Sequence, residues 1–216
     1  SAASDVYKRQ RYADDIVLLA KSERAAKRLL ETSTSYLEDK LKLTVNRKKS
    51  KVTSVYAIRN FKFLGFALGR NGNGTYIRVH PKSWKKMKAR LKSLSSRRHV
   101  QSVIPALDKI RLYMRGWLNY YGIAAMKQAI KELNGWLYHR IRMCIWKMWK
   151  RPRSKMKYLM KLGIPKYYAH MAANSRRGHW YTSATSTVNR ALSKEILVCK
   201  GFYDLADAYQ QMHVNY

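Results

Sequence analysis

Acidic residues are what this chain has least of relative to their opposites: 12 Asp and Glu stand against 45 Lys and Arg, a formal net charge of +33. The shortage deepens along the sequence, since from Lys40 to Tyr216 the only acids are Asp108, Glu132, Glu195, Asp204 and Asp207. So cationic a globule repels itself and calls for a polyanion. Nucleic acid fits best, because phosphate neutralisation supplies most non-specific affinity. A merely solvated basic surface is the plain alternative. A membrane surface fits worse, since no segment pairs a long apolar stripe with a separate basic face. Cysteine is scarce too: Cys144 and Cys199 offer neither metal-ligand spacing nor a disulfide framework, which suits a reducing compartment. The apolar runs fall short of a bilayer span and no signal peptide is visible. The expected location is therefore cytoplasmic, with nucleoid association through RNA or DNA binding. There is no internal repeat and no low-complexity stretch, and 216 residues allow one or two domains with a sizeable core.

Against that background the run Arg11-Tyr12-Ala13-Asp14-Asp15-Ile16-Val17-Leu18-Leu19-Ala20 stands out. Tyr12 and residues 16–19 favour strands, and the run is too short and uncapped for a helix. Two neighbouring acids in such a run repel each other and resist desolvation. A tight turn and a divalent cation would relieve both costs, and hard carboxylate oxygens suit Mg²⁺. A surface Asp-Asp turn between two strands is the alternative. Residues 1–10 look foreign, resembling the conceptual translation of a sequencing adapter, with an ordinary flexible N-terminus as the alternative; on the adapter reading the natural protein continues upstream of Arg11.

Downstream, Ser22 is a candidate N-cap for an amphipathic helix reaching about Lys40. Leu41, Leu43 and Val45 alternate with Lys42 and Thr44 as a strand should. A basic turn at 46–51 leads to a further strand at 52–56. Another is expected at 61–68, closing through Asn71-Gly72-Asn73-Gly74 onto 75–79 as a hairpin. From Pro81 the period becomes helical. Three stripes follow: Trp84, Met87, Leu91 and Leu94; Val103, Leu107, Ile110, Met114, Trp117 and Tyr121; Leu133, Leu137, Ile141, Cys144, Ile145 and Met148. Each is too narrow to be stable alone, and three would bury one another. Beyond Arg151-Pro152-Arg153 shorter helices are expected near 156–162, 188–198 and 203–212, with a break at Gly163-Ile164-Pro165 and a polar loop at 174–178.

Tyr12-Ala13-Asp14-Asp15 resembles the Tyr-X-Asp-Asp box of reverse transcriptases, in the form common among group II intron proteins. Residues 41–51 resemble the segment that follows this box, and Phe63-Leu64-Gly65-Phe66 resembles the apolar-Leu-Gly element that steadies the primer end. A plain core strand is the alternative for the latter. The resemblance implies two-metal nucleotidyl transfer with Mg²⁺, in which Asp14 ligates directly and Asp15 ligates more weakly or orients the site. It also requires a third acid from an earlier palm strand and nucleotide-binding fingers, which would lie upstream of Arg11; the chain alone is then expected to be inactive. Tyr12, Leu64 and Gly65 would line the primer and substrate site. Lys49 is open between a triphosphate contact and an exposed turn residue.

The helical part resembles the thumb and maturase domain of group II intron proteins through Tyr113-Met114-Arg115-Gly116-Trp117-Leu118-Asn119-Tyr120-Tyr121, then Trp136, Arg140, Arg142, Trp146 and Trp149-Lys150. Basic charge interleaved with aromatics can grip phosphates and stack on unpaired bases. The expected RNA contacts are Lys85, Lys86, Arg115, Arg140, Arg142, Lys147, Lys150, Arg151, Arg176 and Arg177. Trp117 is assigned to the core, while Trp146 and Trp149 stay open between core and stacking. Ala172 to Trp180 resemble the C-terminal end of intron proteins lacking an endonuclease; His179 is open between a phosphate contact and a structural role.

The fold expected is α+β: the C-terminal part of a reverse-transcriptase palm (11–80), then a mainly α-helical thumb/maturase domain (81–153) and a basic, partly helical extension (154–216). The resemblance implies an RNA-directed DNA polymerase and intron-splicing maturase. Its partners would be group II intron RNA, an RNA template with DNA primer, and deoxynucleoside triphosphates; a homodimer stays open. A non-catalytic RNA-binding splicing factor and another reverse transcriptase, such as a retron enzyme, are the alternatives.

Overall fold

A computed structural model describes residues 9–57, 61–72, 74–96 and 102–214. The chain divides at His80/Pro81 into two compact units.

The first unit begins with an antiparallel hairpin of β1 (Arg9–Tyr12) and β2 (Asp15–Leu18), in which Tyr12 faces Asp15 and Arg9 faces Leu18. The β1 ladder starts inside the stretch read as foreign. Ladder bonds use backbone groups, so strand pairing is indifferent to where those side chains came from. Helix α1 (Glu23–Ser35) opens on Ser22, whose hydroxyl accepts from the Ala25 N–H at 3.2 Å, and ends in a π-helical turn, Tyr36–Lys40.

The strands expected at 41–45 and 52–56 do not form; both stretches are irregular. Alternation marks a half-buried strand only where a neighbour offers a ladder, and among the described residues each sheet is a two-stranded hairpin. Between them Asn46 caps a backbone turn, its side-chain oxygen accepting from the Lys49 N–H at 3.2 Å while its carbonyl accepts from Lys49 and Ser50 at 3.0 and 2.9 Å. The strand expected from Phe61 begins at Phe66. Phe63 and Phe66 exchange backbone bonds of 3.1 and 2.8 Å around Leu64 (φ 50°) and Gly65 (φ 83°). Positive φ at both central residues is the turn geometry that matches strand twist. Strands β3 (Phe66–Asn71) and β4 (Gly74–Val79) then pair with Phe66 opposite Val79 and Asn71 opposite Gly74. Asn73 of the expected turn lies outside the described residues. The Tyr76 ring covers Gly69 across the ladder, where an added Cβ would meet it at 2.5 Å.

The second unit is helical. Helices α2 (Pro81–Leu94), α3 (Val103–Tyr121) and α4 (Lys127–Met148) carry the three stripes and bury Met87, Leu91, Ile110, Met114, Leu137 and Ile141. Trp117 lies in this core against Trp84 and Tyr121, with ring centroids 4.9 and 4.5 Å away. Helix α5 (Pro152–Lys161) starts on a proline at its first position, where no N–H is missed. Next come α6 (Lys166–Ala173) and the single turn α7 (His179–Thr182), neither of them predicted. The segment expected as one helix at 188–198 is two, α8 (Ser186–Ala191) and α9 (Lys194–Cys199), broken at Leu192-Ser193. Helix α10 (Leu205–Val214) closes the described chain. No helix among the described residues is long and apolar enough to cross a membrane.

Candidate nucleic-acid interface

The hairpin puts Asp14 and Asp15 at one tip. Ala13 takes a left-handed φ of 50°, which turns the chain sharply enough to leave both carboxylates and the Tyr12 ring exposed. This removes the desolvation cost that two acids in an apolar strand would carry. The pair is an exposed donor set of hard oxygens, and no group of three or more His, Cys, Asp or Glu side chains able to hold a metal ion occurs among the described residues. Lys49 is exposed in the Asn46 turn, while Leu64 and Gly65 occupy the Phe63–Phe66 turn.

In the helical unit Lys85, Lys86, Arg115, Lys147, Lys150, Arg151, Arg176 and Arg177 are exposed. Arg177 lies over the Tyr181 ring, 4.3 Å from its centroid, and donates to the Tyr181 hydroxyl. Arg140 and Arg142 depart from the expected pattern because both are bound internally. The Arg140 guanidinium donates to the Ser95 hydroxyl at 2.7 Å and to the carbonyls of Lys92 and Ser95 at 3.1 and 2.9 Å. It therefore closes the C-terminus of α2, where unpaired carbonyls and the helix dipole favour a cation. Arg142 donates to the Leu192 carbonyl at 2.8 Å, just past α8. Burial lowers the pKa of both guanidinium groups below the ordinary arginine range. Alternation of charge along α4 could not distinguish an arginine reaching water from one reaching a neighbouring helix end.

Trp146 is buried, which assigns it to the core, and Trp149 stacks on Tyr158 at 5.2 Å and 20°. Lys155 is buried with its ammonium 4.7 Å from the Trp146 ring centroid. His139 lies 3.6 Å from Trp180, ring to ring, and His179 is half-buried one residue before it. A cluster that the sequence did not disclose joins Asn134 and Tyr138 of α4 to Asp204. Its only sequence signal was an acid in a chain nearly devoid of them.

A family model for reverse transcriptase (RNA-dependent DNA polymerase) matches residues 5–68, and one for the group II intron maturase-specific domain matches residues 84–163. A search of curated proteins yields no match. The first match spans the Asp14-Asp15 tip, Lys49 and the Leu64-Gly65 turn. The second runs from α2 through α5 and stops before α6.

Proposed function

The chain belongs to the group II intron-encoded reverse transcriptases with a maturase domain, and from that premise we propose how its residues divide the work. RNA-directed DNA polymerisation and maturase function are what this combination of domains carries. The observation behind our reading is the adjacency, in one chain, of an exposed Asp-Asp turn and a helical unit whose outer cations meet almost no acids.

On this reading the first unit is palm and the second thumb and maturase. The Asp14-Asp15 turn fits Mg²⁺ in its chemistry, because Mg²⁺ takes one or two carboxylates and leaves its other positions to water and substrate phosphates. When bound, the ion supplies Lewis-acid stabilisation of the charge that develops in nucleotidyl transfer. Asp14 holds it and Asp15 holds or orients from the adjoining position. The Leu64-Gly65 turn offers backbone at close approach to a primer end, since glycine carries no Cβ to fend it off. Tyr12 flanks the same site, and Lys49 faces triphosphate. Lys85, Lys86, Arg115, Lys147, Lys150, Arg151, Arg176 and Arg177 contact the phosphates of intron RNA.

The test is binding of a structured group II intron RNA across a salt series. We expect log affinity to fall linearly with log salt, by nearly one unit of slope for each phosphate contacted. Asp14→Ala should leave that line in place. Salt-insensitive binding would refute the cationic interface, and loss of RNA binding in Asp14→Ala would make Asp14 structural.

A further inference from the structure

Helix α6 is built inside out. Its buried residues are Ala169 and Ala173, one turn apart, whereas Tyr167, Tyr168 and Met171 are 68%, 56% and 57% exposed. A single exposed apolar side chain needs no explanation, but three large ones on an eight-residue helix whose small residues face inward do. The alanines let α6 lie close on α5. The tyrosines are thus spare to packing. Residues 167, 168 and 171 adjoin on the helix surface, and the two rings lie 5.4 Å apart at 78°.

Charge selects what covers them. No Asp or Glu occurs between Glu132 and Glu195, and Lys157, Lys161 and Lys166 are exposed on α5 and at the start of α6. A second copy of the chain would bring like charge onto like. A polyanion that also presents flat π faces suits both features. Double-stranded RNA hides its base faces in the stack, so the complement is an unpaired segment. We propose that the Tyr167–Tyr168–Met171 face of α6, outside the maturase match, is a stacking platform for unpaired RNA nucleotides whose phosphates are held by Lys161 and Lys166. It rests on the RNA-binding reading above and names a subsite within it.

The experiment uses the whole chain, a single-stranded RNA carrying 2-aminopurine, and a blunt RNA duplex. Wild-type protein should quench the 2-aminopurine on binding. Tyr167→Ala/Tyr168→Ala should weaken single-strand binding roughly tenfold or more and lose the quenching, as expected when stacked bases lose their aromatic support. Its duplex affinity and salt slope should match wild type, and Tyr167→Phe/Tyr168→Phe should retain both stacking signals. Unchanged single-strand affinity in the alanine variant would overturn the platform, as would a parallel loss of duplex binding. If wild type binds duplex but no single strand, the platform alone fails; if it binds neither, the RNA-binding reading fails with it.

Discussion

The Tyr138 hydroxyl donates to the Asp204 carboxylate across 2.8 Å, tying the middle of α4 to the N-terminus of α10. The other carboxylate oxygen accepts from Asn134 at 2.7 Å and from the backbone N–H groups of Ala206 and Asp207 at 2.8 and 2.9 Å. Lys194 adds a charge at 3.1 Å. One buried acid therefore caps a helix and fastens it to the bundle.

Asp204→Ala should cost about 2–4 kcal/mol in denaturant unfolding, because it removes the cap of α10 and leaves the Asn134 and Tyr138 donors buried without an acceptor. A loss below about 1 kcal/mol would mean that α10 is held by apolar packing instead.

The same site sets an acid limit. Burial pushes the Asp204 carboxyl upward, but the donors from Asp207, Tyr138, Lys194 and Asn134 outweigh it and hold the pKa below its ordinary value. Its stabilisation is fully present above the unfolded pKa, about 4, and is lost as pH falls through the folded one. Unfolding free energy measured downward from pH 5 should drop more steeply in wild type than in Asp204→Asn.

Arg140 and Arg115 should separate cleanly. Arg140→Ala strips charge-assisted bonds from the α2 terminus and should lower stability by about 2–3 kcal/mol. Exposed Arg115→Ala should leave the unfolding midpoint alone and weaken RNA binding while reducing its salt slope by about 1. The two measurements exchanging roles would reverse the assignment.

Lys155 gives an alkaline signature. Burial lowers its pKa, so the cost of keeping an ammonium inside applies below the folded pKa and is relieved as pH rises through it. Lys155→Met should unfold at equal or higher denaturant than wild type near neutral pH and lack the corresponding rise in stability. A marked loss of stability would show that the contact with Trp146 outweighs the desolvation.

Gly65 sits at φ 83°, beyond easy reach of an L side chain. Gly65→Ala should cost about 1–2 kcal/mol, read as faster hydrogen exchange of the Phe63 and Phe66 amides that close this turn. Unaltered exchange at both would show that the turn tolerates a Cβ.

What the sequence determined by itself follows from local rules. Ser22 and the stripe after it specify α1, the periods around Met87, Ile110 and Leu137 specify three helices, and the Asp14-Asp15 pair demands a turn. Charge composition favours a polyanionic partner, because no folding can hide a net +33. Tertiary structure alone decided matters that depend on neighbours. Residues 41–45 alternate like a strand but find no ladder, and α6 escapes a periodicity reading because its large residues point outward. Arg140 and Arg142 look like surface cations until helix ends arrive to bind them. Periodicity reports which face a segment could bury, and only the packed chain determines what lies against it.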